Sequence, residues 1–491
     1  MKYILGIDVG TTGTKTILFS EDGSLVAHSY RSYPLSNLKV GHSEQNAEDW
    51  WRAIVETVRE VTEGRGISDS VAAISLSTQG GTVVPVDKNG TPLRPAIVWN
   101  DSRFSDEREK FTLEVGSPEI LYQKSGWNLG TGLPLLAIRY IRDKEPEIFA
   151  KTDKFLSVPS YVSLKMTGKA KVDLSNVGIE QLADIRKGEY DSELLRFAGI
   201  EKERLAQIVR SSTVIGNLTR EAAAELSLSE KTLLVAGAHD QYAVALGAGA
   251  VKSGDILIGS GTCWVVTAIG NKADFESGLA QSVSAVDGLW GTLRSLSTGG
   301  VCLEWLRNGV TLGKDGGVID YKTFDEETAK ISAAEDGLFF YPFSGIYGVR
   351  NTFSKGAFVG MDLSHNRYHL ARAVMEGVVF QILWMMEEFK TKPSSSGITL
   401  AGGASKSSVW PQMLADASGL PIRIPKVADL ACVGAAVMAG VGVGIYESAT
   451  DGSVRFKTEE STVMPRPEMT EVYKLLMKKY KEQAEALGSS Y

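Results

Sequence analysis

The sequence predicts an α/β protein of two related domains, each opening on a strand, a glycine-rich turn and a second strand. Three observations lead there. Residues 3–20 read YILGIDVGTTGTKTILFS, two apolar runs around Gly-Thr-Thr-Gly-Thr-Lys. Residues 255–269 read DILIGSGTCWVVTAI and repeat that order. The spacing of about 250 residues is too long for a solenoid and suits a duplicated domain. Apolar stripes with helical spacing lie between and after these segments.

The first strand covers 3–9 and the second 14–20. Asp22-Gly23 is a hairpin signal before a third at 24–31. Asn46 caps a helix whose apolar positions are Trp50, Trp51, Ile54, Val55 and Val58, with Asp49 in its first turn. A strand follows at 71–76. The glycine-rich LGAGAVKSGD at 246–255 marks the boundary between domains 1–247 and 248–491. In the second domain, Leu370, Val374, Val378, Ile382, Met385 and Phe389 form one stripe of a helix from about 366 to 390. The loop KPSSSG leads to a strand at 398–400 and the turn AGGASKS. A charged amphipathic helix spans 467–487.

Composition removes several function classes. A net charge of −7 without a long basic run argues against nucleic acid or an anionic membrane as partner. Cys263, Cys302 and Cys432 lack CxxC spacing, which fits a reducing compartment and three small buried residues, not metal ligands or a disulfide. No signal-peptide pattern follows Met1. The uncharged run Leu430 to Tyr446 has 17 residues and four glycines. A membrane span needs about 20 more strongly apolar residues, so a buried helix and a cytoplasmic protein are expected. His365 and His369 stand in HNRYH, not in a zinc motif, and are expected at a helix start.

The glycine turns carry the chemistry. Gly10, Gly13 and three threonines bend backbone N–H groups toward a ligand, an array that favours anions, and Lys15 adds positive charge. Neither a Walker A loop nor a Gly-x-Gly-x-x-Gly fingerprint is present. Taken alone, the turn is a weak signal, with a plain hairpin as its alternative. Asp8, two residues before Gly10, shifts the reading, because a carboxylate there can hold Mg²⁺, usually through water, beside bound phosphates. The second turn, Gly259-Ser260-Gly261-Thr262, supplies another cradle, and Gly402-Gly403-Ala404-Ser405 lies between a strand and a helix. Two such hairpins gripping a nucleotide tail are similar to the actin-like ATPase pattern of actin, the 70-kDa chaperones and the sugar kinases.

Further segments narrow this to one branch. GHSEQNAEDWW at 41–51, LRPAIVWNDSR at 93–103 and GAFVGMDLSHNRYHLARAVMEG at 356–377 resemble signature segments of the FGGY carbohydrate kinases, most of all the xylulokinase group. VAGAHDQYAVALGAG resembles the segment that carries the family's catalytic aspartate, placing Asp240 in that role. The resemblance implies two ribonuclease-H-like domains flanking a deep catalytic cleft, the first for sugar and the second for nucleotide, with ATP and Mg²⁺ as cofactors. It places Gly10, Thr11, Thr12, Lys15, Gly261, Thr262, Gly402, Gly403 and Ser405 at the nucleotide. Gln79, Gly80, Gly81, Trp99, Asp101, Asp240 and Gln241 fall at the substrate, and Asp8 and Asp240 at the metal. The implied partner is a small-molecule sugar or polyol, with no nucleic acid and no membrane; a homodimer is a compatible assembly.

The sequence departs from its relatives at two places. Xylulokinases carry Gln-Met-His-Gly where this chain has Gln79-Gly80-Gly81, and His239 replaces a glycine before Asp240. The missing side chains point to a kinase of another ketose or polyol, such as a hexulose, glycerol or a tetritol, with Trp127 or Asn128 as candidates to fill the gap. On that basis Gly80→Met with Gly81→His is expected to move specificity toward D-xylulose. The competing classes are an actin-like regulatory ATPase and a kinase relic serving as a sugar sensor. Neither needs both Asp8 and Asp240.

Overall fold

The computed structural model describes residues 1–37, 39–130, 132–310, 317–334, 337–343, 355–426, 429–456 and 460–489. The chain divides into two units. The first comprises Met1–Lys252, Gly270–Thr292 and Val427–Lys457, and the second Ser253–Ile269, Leu293–Lys426 and Thr458–Tyr491. Two later segments therefore group with the N-terminal residues.

In the first unit, β1 (Tyr3–Val9), β2 (Gly13–Ser20), β3 (Leu25–Ser32), β4 (Val71–Thr78), β5 (Val214–Asn217) and β6 (Leu233–His239) form one sheet in the order β5-β6-β4-β1-β2-β3. Strands β1, β4 and β6 run parallel, while β2 is antiparallel to both β1 and β3. The run β3-β2-β1-β4-β6 is the ribonuclease-H-like arrangement. Leu5, Ile7 and Val9 are completely buried in one core with Trp50, Ile54 and Val58 of the Ala47–Thr62 helix. That helix starts where Asn46 Oδ1 accepts the Glu48 N–H at 3.2 Å.

The apolar run at 430 forms a buried helix, Leu430–Gly442. It packs backbone on backbone. A Cβ on Gly6 of β1 would lie 2.0 Å from the Cys432 carbonyl oxygen, and one on Gly434 would lie 1.9 Å from that of Ala243. Only glycine permits such approaches. The Asp240–Gly247 helix, β1 and the Leu430–Gly442 helix are thereby locked together.

In the second unit, β7 (Ile256–Ser260), β8 (Trp264–Gly270), β9 (Ile398–Gly402), β10 (Ile422–Pro425) and β11 (Glu460–Val463) are neighbours in the order β8-β7-β9-β10-β11. β7 is antiparallel to β8 and parallel to β9, and β9 is parallel to β10. The series β8-β7-β9-β10 repeats β2-β1-β4-β6, so the duplication seen in the turns extends to the sheets.

The long helix covers Arg367–Met386, shorter than the stripe foretold, although Phe389 beyond its end remains buried. His365 and His369 do sit at its start, where their Nδ1 atoms accept the N–H groups of Asp362 (2.9 Å) and Asn366 (3.2 Å). Cys302 and Cys432 are buried, but Cys263 is exposed. It belongs to the tight turn between β7 and β8, where the chain reverses at the surface, and not to either strand. Among the described residues no helix is long and apolar enough to cross a membrane.

Candidate active site

The β1–β2 register pairs Asp8 with Lys15 and Val9 with Thr14, so the residues between them form the turn. Gly10 N–H donates to the Gly13 carbonyl at 3.0 Å and closes it. Four residues from elsewhere in the chain then hold it. Tyr33 Oη donates to the Gly10 carbonyl at 2.6 Å, and Trp99 Nε1 donates to Thr11 Oγ1 at 3.2 Å. Thr11 Oγ1 donates to Gln79 Oε1 at 3.0 Å, and Gln79 Nε2 donates to Gln45 Oε1 at 2.9 Å. Gln45 Nε2 in turn donates to the Thr11 carbonyl. Gln79 is buried and its amide is committed to this frame. Thr12 is exposed at the tip.

Asp101 lies just beyond Trp99, and 1% of its surface is exposed. Its carboxylate accepts the Ser43 N–H at 2.7 Å and the Arg103 guanidinium at 2.6 Å. Glu44 binds the same guanidinium at 2.8 Å. Asp101 thus anchors the segment that presents Trp99, which is itself 46% exposed.

At the base of the turn, Asp8 Oδ1 accepts the Ser77 hydroxyl at 2.6 Å. Burial pushes the Asp8 carboxyl up to about 7, and the negative charges of Asp429 and Asp240 push the same way, against the Ser77 hydrogen bond and the Lys15 charge. Lys15 is ion-paired with Asp429. Burial opposes the charge on Lys15, but this pairing outweighs it and raises the ammonium above its usual range. Asp429 also caps the Leu430–Gly442 helix. No local pattern singled it out, because its partner is remote in the chain. Three carboxylates and one ammonium leave this spot with surplus negative charge. Among the described residues no three metal-ligating side chains converge directly on one point.

Asp240 is the first residue of its helix, directly after β6, and its side chain is 32% exposed. Gln241 follows on the same turn, half-buried. His239 Nε2 lies 3.4 Å from Asp240 Oδ1. Gly80 and Gly81 meet this ring and its neighbours. A Cβ on Gly80 would fall 2.3 Å from His239 Cδ2, and Gly81 has φ +69° with Leu133 Cδ2 2.8 Å from its would-be Cβ. The Met-His replacement foreseen at 80–81 would therefore meet the imidazole at one position, and Leu133 with a left-handed backbone at the other. Trp127 packs on His239, with ring centroids 6.1 Å apart. Asn128 is engaged elsewhere, its Nδ2 donating to the Gly278 carbonyl at 2.8 Å.

The second unit holds a pocket of about 880 Å³. Gly261, Thr262 and Gly403 line it, together with Lys406 and an apolar wall that includes Trp264, Val301 and Trp410. Gly402 and Ser405 do not line it but shape the turn that carries Gly403 and Ala404, which do. Gly402 has φ +96°, and a Cβ there would fall 2.6 Å from the Ser260 carbonyl oxygen. Ser405 Oγ donates to the Gly402 carbonyl at 2.7 Å, and Ser260 Oγ accepts the Ala404 N–H at 3.1 Å. The glycine pair thus brings backbone close to a largely apolar slot, a shape suited to a flat heterocycle.

Comparison with known proteins agrees with this arrangement. Residues 3–247 match the model of the N-terminal domain of the FGGY family of carbohydrate kinases, and residues 255–443 match that of the C-terminal domain. The chain is 28% identical to a gluconokinase of Bacillus subtilis, over 91% of this chain and 88% of that one. It is 29% identical to a xylulose kinase of the same organism, over 98% and 96%. The ligand-bound crystal structure of xylulose kinase from Lactobacillus acidophilus superimposes with a TM-score of 0.90 at 25% identity, covering 100% of this chain and 99% of that one. The chain belongs to the FGGY family of carbohydrate kinases and has its two-domain fold, and its activity is the ATP-dependent phosphorylation of a sugar hydroxyl.

Proposed function

We propose that the acceptor is a ketose, as for a xylulokinase, and that Asp240 is the base that takes the proton of the attacking hydroxyl. The ketose is supported by the xylulose kinase matches, and the role of Asp240 by the pairing of two carboxylates in unlike settings. Asp240 stands partly exposed at a helix start, and its charge acts on the half-buried Asp8 at the phosphate turn. A second reading, a sugar acid as acceptor, is supported by the gluconokinase match at nearly the same identity.

In this mechanism the nucleotide lies along Gly261, Thr262 and Gly403, in the pocket that Gly402 and Ser405 shape. On the first unit, the N–H groups of the opening turn and the exposed Thr12 hydroxyl are donors suited to phosphate oxygens, Thr11 keeps its hydroxyl on Gln79, and Lys15 adds its charge. The surplus of negative charge at Asp8, Asp240 and Asp429 fits a divalent cation, and Asp8 would hold Mg²⁺ through water. Bound Mg²⁺ supplies neutralisation of phosphate charge. Gln79 and Asp101 act by holding Thr11 and Trp99 in place. Phosphoryl transfer has a loose transition state, so alignment of the hydroxyl by Asp240 and exclusion of water do most of the work. This reading places the enzyme in the cytoplasm, where ATP is abundant.

A coupled assay of ATP turnover over ketoses, alditols and sugar acids tests it. Turnover is expected to depend on one such compound, with ketoses ranked first. Asp240→Asn keeps the shape and is expected to lower kcat by about 10²-fold or more while leaving the KM for ATP little changed. Near-wild-type turnover in that variant would remove Asp240 from the role.

A further inference from the structure

We propose that His239 and Gly80 work as one reciprocal unit that sets acceptor specificity, the imidazole taking the space beside Asp240 that a side chain at position 80 would otherwise occupy. The proposal rests on the reading of Asp240 as the base at the acceptor hydroxyl. Its geometric part stands independently. A Cβ on Gly80 would lie 2.3 Å from Cδ2 and 2.7 Å from Nε2 of His239, and 2.9 Å from Ile179 Cγ2. Real Cβ atoms do not approach so closely, so one of the two residues must yield.

The imidazole has little room to do so. His239 is 5% exposed. Its backbone N–H donates to Ser175 Oγ at 2.9 Å. Its ring is flanked by Trp127, with centroids 6.1 Å apart, and by Tyr242, at 5.6 Å. Tyr242 is completely buried and donates to the Gly291 carbonyl at 3.1 Å, which fixes that side of the ring. The ring is therefore a wall, and Gly80 is glycine because the wall is there.

The wall is also polar. Nε2 lies 3.4 Å from Asp240 Oδ1, so the ring can steer that carboxylate. Nδ1 of His239 and Nε1 of the adjoining Trp127 are both buried without a hydrogen-bond partner in the protein. Buried polar atoms nearly always have partners, and two orphans on adjoining rings point to a ligand that brings hydroxyl groups. The substrate class that fits is a polyhydroxy compound with a hydroxyl next to the one phosphorylated. His239 acts as a positioning residue toward Asp240 and as a specificity residue toward that neighbouring hydroxyl.

The test is a double-mutant cycle of Gly80→Ala, His239→Gly and the two combined, read as kcat/KM over the sugar panel and as thermal midpoint without ligand. Gly80→Ala alone is expected to lower kcat/KM for the preferred sugar at least tenfold and to lower the midpoint. Adding His239→Gly is expected to restore the midpoint and part of the rate, a coupling that independent sites do not show. His239→Gly alone is expected to raise the KM for the preferred sugar more than it lowers kcat and to reorder the panel. His239→Gln, which keeps a polar side chain, is expected to preserve the order and serves as the check if the glycine variant fails to fold. Additive effects in both readouts, or an unchanged order in His239→Gly, would overturn the proposal and leave the kinase reading intact. A wild type that phosphorylates no member of the panel would overturn the proposed substrate class and the specificity role together, while the midpoints would still decide whether residues 80 and 239 share one space.

Discussion

The Lys15 ammonium is ion-paired with the Asp429 carboxylate, a residue 414 positions later in the chain. The same carboxylate accepts the Cys432 N–H at 3.0 Å and so caps the helix that leans on β1. Asp429 therefore has two separable roles. Asp429→Asn keeps a capping oxygen and loses the ion pair, whereas Asp429→Ala loses both. Urea denaturation is expected to find the alanine variant less stable than the asparagine variant by about 1 kcal/mol, the usual worth of an N-cap. Equal stability of the two would remove the capping role.

Asp8→Ala is expected to depress phosphoryl transfer and to abolish its response to added Mg²⁺. Sugar binding, followed by calorimetry without nucleotide, is expected to persist, since the proposed sugar contacts lie around Asp240 and Trp99. A variant with full activity and an unchanged Mg²⁺ requirement would reduce the opening turn to an ordinary hairpin.

Glu180 gives the stability of the fold a pH dependence. It is 5% exposed, and its Oε1 has no hydrogen-bond partner in the protein. Burial pushes its carboxyl from the usual 4.5 up to about 7; a Ser157 hydrogen bond opposes the shift, and the Asp173 charge adds to it. Because the folded state then binds the proton more tightly than the unfolded chain, stability falls as pH rises from about 4.5 to about 7. The penalty is absent below that window and complete above it, with a ceiling of about 3 kcal/mol. Glu180→Gln removes the charge. Its denaturation midpoint is expected to match wild type near the bottom of the window and to exceed it above the top. A difference that did not vary with pH would assign the effect to packing.

The local features of the fold were legible because their causes are local. The opening hairpin follows from two apolar runs around a glycine turn, and the Ala47–Thr62 helix from Asn46 and the apolar spacing after it. The parts of the site made by distant residues were not. Nothing in ADLACVGAA reveals that Asp429 will meet Lys15. The glycines at 80 and 81 read as an empty pocket, whereas the space is filled by His239, Ile179 and Leu133 from other segments. Gln79 and Asp101 stand out as polar residues in signature segments, but only the three-dimensional partners reveal them as props for Thr11 and Trp99. The burial habit of cysteine predicted a buried Cys263, and the exposure of its turn outweighed that habit.

The glycine-to-backbone seam of the Leu430–Gly442 helix also bears on how the protein is made. Gly6 leaves the ribosome well before the backbone that covers it, at Cys432, which follows more than four hundred residues later. At the pace of about 5–20 residues per second, the first sheet waits tens of seconds with one face uncovered. During that interval the β1 strand presents bare main chain at Gly6 on that face. A fragment ending near residue 252 would lack the Leu430–Gly442 helix that covers this sheet, so the first unit is not a portable module without its later segment.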